Sequence, residues 1–172
     1  MRRTIVRETQ VLGPDNAIWD DGEWVSWDHI TSELARIELR ERYPLADLNL
    51  LSTFNDLLQL AEQYHFVTGR HLQVYGELGE LFAAVTYGIQ LHRPYAPGSD
   101  GRLGKELVEV KTISPMKKEL SVTVDLKGNF SRVVVVRIDP EFEVSARTIA
   151  RAKLPKSSTG RVNLRWDAMP KA

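Results

Sequence analysis

Residues 107–113 read Leu-Val-Glu-Val-Lys-Thr-Ile, and this stretch decides how the rest of the chain is interpreted. Because residues two apart share one face of a β-strand, Glu109 and Lys111 are expected to point to the same side. Val108 and Val110 then point to the opposite side, which we expect to be buried. Charged side chains seldom lie between valines unless they have partners. The stretch therefore predicts a core strand that carries a functional carboxylate and a functional ammonium group.

A second carboxylate precedes this strand. Asp100 begins a short strand over residues 100–103, and the turn at Gly104-Lys105 joins that strand to the next, so Asp100 can come alongside Glu109. Two carboxylates, the backbone carbonyl of Val110 and waters suit Mg²⁺, with Mn²⁺ as the alternative. Such an ion can polarise a phosphodiester and lower the pKa of a bound water. The ammonium group of Lys111 can orient that water or stabilise negative charge on the phosphate.

A helix is predicted upstream, over residues 72–86, with Gly88 as its C-terminal stop. Glu77 and Glu80 lie on this helix, and either could hold a metal-bound water or a second ion. Its apolar positions recur at helical spacing: Leu78, Leu81, Phe82 and Val85.

The order of these groups resembles the PD-(D/E)XK nuclease superfamily over roughly residues 72–150. The matching residues are Glu80 on the helix, Asp100 at a strand start, and Glu109 and Lys111 in the next strand. The resemblance implies a restriction endonuclease-like core, Mg²⁺ dependence and hydrolysis of phosphodiester bonds that leaves a 5′-phosphate. Its helix also favours Glu80 over Glu77.

Two departures from the family pattern stand beside the resemblance. Pro97-Gly98-Ser99-Asp100 replaces the usual Pro-Asp pair, and the segment after Lys111 has the pattern of another strand where the family has a helix. The plainer alternatives are that Asp100-Gly101 is only a turn, and that Glu109 and Lys111 form an exposed pair on an edge strand.

The predicted fold is a mixed α/β class: a central mixed β-sheet flanked by helices. We expect residues 71–172 to form the core and residues 1–70 to form an N-terminal hairpin and helical extension packed on it, all within one compact domain. The extension comprises a strand over residues 4–11, a hairpin turning at Asp20-Asp21-Gly22, and two helices. The two helices span residues 27–43, capped by Asp28 or Thr31 and ended by Pro44, and residues 52–64. Further strands are predicted over residues 89–92, 121–126, 133–138 and 142–152, and the last of them leads into a helix. The tail from Pro155 is expected to be loosely held, with Leu164 and Trp166 able to dock.

Composition limits the classes of protein considered. The 172 residues contain no cysteine, which excludes thiolate metal sites and cysteine nucleophiles and fits a reducing compartment. No targeting segment or membrane span is predicted, so we expect a cytoplasmic protein. Residues 1–100 hold 8 basic and 15 acidic residues, whereas residues 101–172 hold 15 basic and 8 acidic. This asymmetry can present a cationic face to phosphates. The candidate nucleic-acid contacts are Lys117, Lys118, Lys127, Arg132 and Arg137.

These features lead to three functional hypotheses. The first is a metal-dependent DNA endonuclease in restriction, defence or repair, working as a homodimer in which helices 27–43 and 52–64 mediate dimerisation or position DNA. The second is a non-catalytic nucleic-acid-binding module on the same fold. The third is an RNA-directed nuclease or a subunit that depends on a protein partner. The four histidines lack metal-ligand spacing and are expected to serve in packing or to lie at the surface.

Overall fold

The computed structural model describes residues 11–93 and 96–170. The strand predicted over residues 4–11 lies outside the described residues, apart from Val11. Contacts divide the chain into a first unit that ends at Arg42 and a second unit that begins at Tyr43. By its contacts, the predicted helix 52–64 therefore belongs to the second unit, whereas the sequence assigned it to the N-terminal extension.

The first unit opens with the predicted hairpin. Strands β1 (Ala17–Asp20) and β2 (Glu23–Ser26) pair antiparallel. Asp21 and Gly22 both have positive φ, at 40° and 95°. Asp-Gly with two positive φ values is the preferred two-residue connection between twisted antiparallel strands, so the turn signal is confirmed.

Helix α1 (Trp27–Arg42) follows the hairpin directly. The hydroxyl of Ser26 accepts a hydrogen bond from the backbone N–H of His29 at 3.1 Å, so Ser26 caps the helix. The caps predicted from the sequence, Asp28 and Thr31, were wrong because both lie inside the helix. None of the residues of α1 is buried.

Two further helices begin the second unit. Helix α2 (Leu48–Thr68) is longer than predicted, because Asp47 accepts from the N–H of Asn49 and Gly69 closes the far end in the left-handed conformation. Helix α3 (Tyr75–Tyr87) begins three residues later than predicted and ends, as predicted, at Gly88, whose φ is 71°.

A five-stranded mixed sheet forms the centre of the second unit, with strand order β3-β4-β5-β7-β8. Only the pair β5–β7 is parallel, and the other neighbours are antiparallel. The central mixed sheet is thereby confirmed. Its strands are β3 (Gln90–Leu91), β4 (Gly101–Leu103), β5 (Glu106–Ile113), β7 (Arg132–Ile138) and β8 (Val144–Ala150), with β6 (Ser121–Asp125) placed elsewhere.

A separate two-stranded sheet joins β6 to β9 (Arg161–Arg165). The expectation of a loosely held tail was therefore wrong, since β9 pairs with β6 along its whole length. Leu164 and Trp166 are buried, which confirms that they dock. The segment between β5 and β7 is a strand, as predicted. The helix expected after β8 is only a short 3₁₀ turn, Arg151–Lys153.

The central sheet is covered on both faces. On one face, Val108 and Val110 of β5 pack with Val134 of β7 and Ala83 of α3. On the other face, Ile113 packs against the β6–β9 sheet and Trp166, in a cluster that also contains Val133 and Val135. Alternate residues of β5 and β7 thus enter different halves of the core, as the period of two in their sequence requires.

We expect replacement of Arg151 with alanine to lower the free energy of unfolding by about 3 kcal/mol, since it leaves several backbone acceptors without a partner. The guanidinium group donates to the carbonyls of Leu126, Gly128 and Phe130 and lies over the Phe130 ring, 4.6 Å from its centroid. Urea unfolding measures the change. The exposed neighbour Lys153 provides the control, and an equal loss in Lys153→Ala would contradict the assignment.

Candidate functional site

The site is built around the point where β4 leaves β5. The last backbone pair of the two strands joins Gly101 to Val108, and the N–H of Asp100 still donates to the carbonyl of Val108 at 3.0 Å. Two residues further along β5, the carboxylate of Asp100 takes the place of a backbone acceptor and accepts a hydrogen bond from the N–H of Val110 at 2.7 Å. The side chain of Asp100 is therefore held at the edge of β5.

The carbonyl of Val110 shares that edge. In a β-strand the N–H and C=O of one residue point to the same neighbour. Because the N–H of Val110 bonds to Asp100, its carbonyl also points towards the gap that β4 leaves. The carboxylate of Asp100 and the carbonyl of Val110, both predicted from the sequence as metal ligands, thus lie at the same edge of β5.

Glu109 and Lys111 lie on the same face of β5, as predicted. The Nζ of Lys111 is 2.6 Å from a carboxylate oxygen of Glu109, and the side chains are 33% and 16% exposed, respectively. Val108 and Val110 are buried on the opposite face. The ion pair is therefore not fully exposed.

Helix α3 supplies Glu80 to the same group. Burial, followed by the charge of Asp100, raises the pKa of Glu80, and Glu77 and Glu109 add to the rise while Lys111 opposes it. Glu80 therefore lies within electrostatic range of the three other residues. Glu77 is exposed one turn earlier on the same helix and does not line the cavity that holds Lys111.

A close approach of α3 to β5 makes this possible. Gly79 is buried, and a Cβ added there would lie 1.9 Å from the hydroxyl of Thr112. No side chain larger than hydrogen fits without displacing Thr112 or the helix. Gly79 therefore sets the distance from which Glu80 reaches the edge of β5.

An open cavity of about 380 Å³ lies between α3 and the edge of β5, and Glu109 is not part of its lining. Its lining includes Glu80, Asp100, Val110 and Lys111, and it continues along β5 to Ser114. A negatively charged wall, a cation and free strand edge thus face one solvent-filled space. This arrangement can bind a divalent cation together with an anionic group of a substrate.

The predicted basic contacts are distributed around the cavity unequally. Lys117 and Lys118 are exposed and follow Ser114, to whose carbonyl the N–H of Lys117 donates at 3.0 Å. Lys127 belongs to a turn whose next residue, Gly128, lies close to the carbonyl of Gly98, two residues before Asp100. None of these three lysines lines the cavity that holds Lys111, and Lys118 lines a separate cavity with residues of β6 and β9.

The two predicted arginines lie elsewhere. Arg132 forms an ion pair with Glu106 at 2.8 Å across β7 and β5, beside Val108 in the register. Arg137 lies beside Ile113, and its Nε is buried without a hydrogen-bond partner among the described residues. The structure therefore does not bring either arginine to the cavity that holds Lys111.

His92, which the sequence assigned to packing or to the surface, is half-buried and lies beside the segment that carries Asp100. Its N–H donates to the carbonyl of Asp100 at 2.9 Å, and its Nδ1 lies 3.1 Å from the carbonyl of Ser99. His92 directly follows β3 and Asp100 directly precedes β4, so their proximity follows from the β3–β4 pairing, which no local motif indicates.

The possible metal ligands at the strand edge are oxygen atoms, which are the ligands that Mg²⁺ takes. Within residues 11–93 and 96–170, no group of three or more His, Cys, Asp or Glu side chains is arranged to enclose an ion. Mg²⁺ is usually bound by one or two carboxylates and keeps several waters. Asp100, Glu109 and the carbonyl of Val110 match that donor set.

The raised pKa of Glu80 leads to a prediction about stability. A carboxyl group with a higher pKa in the folded than in the unfolded protein makes its full contribution to stability at pH values below the unfolded pKa. That contribution is lost as the pH rises through the folded pKa. We expect Glu80→Gln to raise the melting temperature at pH 7 by about 2 °C. The difference should disappear below about pH 4. Thermal unfolding across this range tests it, with the exposed Glu62→Gln as control, and a lower melting temperature in Glu80→Gln at pH 7 would contradict it.

Comparisons with known proteins identify no family for this chain. No protein-family model matches the sequence, and no curated protein matches it either. The described residues contain no helix with the length and apolar character needed to cross a membrane.

Proposed function

We propose that this protein is a Mg²⁺-dependent endonuclease that hydrolyses phosphodiester bonds in DNA. One observation carries the proposal: the carboxylate of Asp100 bonds to the N–H of Val110 at the edge of β5, beside the Glu109–Lys111 pair. The carboxylates of Glu80 and Asp100, Val110 and the ammonium group of Lys111 thus line a single open cavity, and Glu109 is joined to it through its ion pair with Lys111.

Each residue has a distinct part in the proposed reaction. Asp100, Glu109 and the carbonyl of Val110 would hold Mg²⁺, with Mn²⁺ as a substitute, and Glu80 would hold one of its waters. When bound, the ion supplies positive charge that polarises the phosphate and lowers the pKa of water. Lys111 donates a hydrogen bond to a phosphate oxygen and stabilises the negative charge that develops there.

Lysines around the cavity support nucleic acid as the substrate class. Exposed Lys117 follows Met116, which lines the cavity, and exposed Lys127 precedes Gly128, which lies close to the carbonyl of Gly98. Contacts of this kind bind phosphates of the backbone and carry no base preference. Affinity should therefore fall steeply as salt rises.

The finer assignment of the fold also belongs to this proposal. An acid-bearing helix α3, the antiparallel strands β4 and β5, and the parallel neighbour β7 are among the elements of a restriction endonuclease-like core and support this assignment. The β6–β9 sheet takes the place of the helix that usually follows the Glu-x-Lys strand. Cytoplasmic location, homodimerisation and a role in restriction, defence or repair remain predictions.

Cleavage assays test the proposed activity. Purified protein is incubated with supercoiled plasmid, linear duplex, single-stranded DNA and RNA, each in Mg²⁺, Mn²⁺ or EDTA. We expect cleavage of DNA with either ion and none in EDTA. Binding that is independent of metal, without cleavage of any substrate, would contradict the proposal and favour the non-catalytic module. Preferential cleavage of RNA would identify RNA, in place of DNA, as the substrate.

A further inference from the structure

A second cavity, of about 400 Å³, lies on the other side of the carboxylates that serve the proposed reaction. Glu80 and Asp100 line both cavities, whereas Lys111 lines only the first. The two spaces therefore meet at the position proposed for the scissile phosphate. A nucleic-acid strand that passes this position needs room on both sides of it, and the second cavity supplies that room.

The wall opposite the carboxylates is made by Leu91 of β3 and by His92, Arg93 and Ala96. Leu91 and Ala96 contribute apolar surface, and His92 contributes an imidazole ring. Aromatic and apolar side chains are the surfaces on which unpaired bases stack in proteins. Neither part of this wall is used by the proposed hydrolysis.

Hydrogen bonds hold His92 in its place in this wall. A carbonyl oxygen can only accept, so the Nδ1 that lies 3.1 Å from the carbonyl of Ser99 carries a hydrogen. The hydroxyl of Ser99, a buried residue, lies 3.4 Å from the same nitrogen. The backbone N–H of His92 is bound to the carbonyl of Asp100. The imidazole is thus fixed to the segment that carries the carboxylate, with Nε2 on the far side of the ring from Nδ1.

The geometry points to this cavity as the binding site of one unpaired nucleotide, adjacent to the phosphate that is cleaved. A volume of about 400 Å³ lies in the range of pockets that enclose a single small ligand, about 300–1,000 Å³. A base that enters such a pocket must leave its stack and its partner. Exposed Glu77 can accept a hydrogen bond from an exocyclic amino group at the rim, and exposed Arg93 can contact the next phosphate.

This inference rests on the proposed function and narrows its substrate. If one nucleotide beside the cleaved bond must be unpaired, single strands, gaps and frayed or branched ends are better substrates than continuous duplex. The cost of extruding a base is smallest where the base is already unpaired.

Binding measurements without catalysis test the inference directly. The full chain in EDTA is titrated into a fluorescein-labelled single-stranded decanucleotide and into a hairpin duplex of the same composition, with anisotropy as the signal. We expect the single strand to bind at least about 10-fold more tightly. The imidazole C–H signals of His92 in the NMR spectrum should shift when the single strand is added.

Two substitutions at one position separate loss of space from loss of fold. Ala96→Phe fills the cavity and should weaken single-strand binding about 10-fold while leaving duplex binding unchanged. Ala96→Ser keeps the space and should bind like the wild type. His92→Leu retains bulk without the ring and should also weaken single-strand binding, which keeps the test decisive if Ala96→Phe fails to fold.

The outcomes distinguish this inference from the proposed function. Metal-dependent cleavage, with single-strand binding unaffected by Ala96→Phe and by His92→Leu, overturns the nucleotide site and leaves the nuclease. Single-strand binding that both variants weaken, without cleavage in any metal, supports the nucleotide site and overturns the nuclease. Equal binding of duplex and single strand with no shift of the His92 signals overturns the site, and no binding of any nucleic acid overturns both.

Discussion

Replacing Lys111 with alanine is expected to lower the single-turnover rate of metal-dependent cleavage at least about 100-fold, because the variant removes a cation aimed at the charge that develops on the phosphate. Substrate affinity should change much less, since the surrounding lysines still contact the backbone. The fold should persist, because the Nζ of Lys111 has Glu109 as its only recorded ion-pair partner among the described residues. Quenched-flow cleavage of labelled DNA at saturating enzyme measures the rate.

Lys105 provides the matched control for this experiment. It is an exposed lysine in the turn between β4 and β5, so Lys105→Ala removes the same side chain from the same hairpin. It should cleave at close to the wild-type rate. Equal losses in both variants would show that general positive charge, and not the position of Lys111, supports cleavage, and would remove Lys111 from the proposed site.

Substitution of Gly79 with alanine is expected to destabilise the protein by about 2–3 kcal/mol, because the added methyl group overlaps Thr112 and forces α3 away from β5. Glu80 moves with the helix, so cleavage should also fall, and more than the loss of folded protein explains. Urea unfolding gives the free energy, and rates measured well below the unfolding midpoint give the catalytic effect.

Gly76→Ala is the control within the same helix. An added Cβ at Gly76 would meet nothing within 4 Å, so this variant should be neutral or stabilising by up to about 1 kcal/mol. Thr112→Ala should restore part of the stability lost in Gly79→Ala, because it removes the hydroxyl that the methyl group overlaps. Equal destabilisation by the two glycine substitutions would contradict the packing argument.

Local patterns in the sequence were sufficient to predict the elements that carry the proposed site. The alternation around Val108 and Val110 predicted the two faces of β5, and Gly88 predicted the end of α3. Short-range turn chemistry likewise predicted the hairpin at Gly22. Each of these signals depends on residues close together in the chain, where backbone preference and burial act in the same direction.

Features that depend on distant residues could not be predicted in the same way. The bond from Asp100 to the N–H of Val110 requires β4 to leave β5 at one particular pair, and no motif records where a strand leaves its neighbour. Arg132 could not be separated from the other basic residues until β7 placed it beside Glu106. The tail after Pro155 has a weak strand signal, and only its partner β6 makes it a strand.

The pairing of β6 with β9 has a consequence for the order in which the molecule assembles. The proposed acids and Lys111 lie in one continuous stretch of the chain, from α3 to β5. Strand β6, by contrast, pairs with β9, which follows β7 and β8 in the sequence. Pairing between distant segments costs loop-closure entropy and tends to form late. The face of the central sheet that carries Val133 and Val135 should therefore be covered last during folding and exposed first during unfolding. Hydrogen exchange should be faster in β6 and β9 than in β5 and β7.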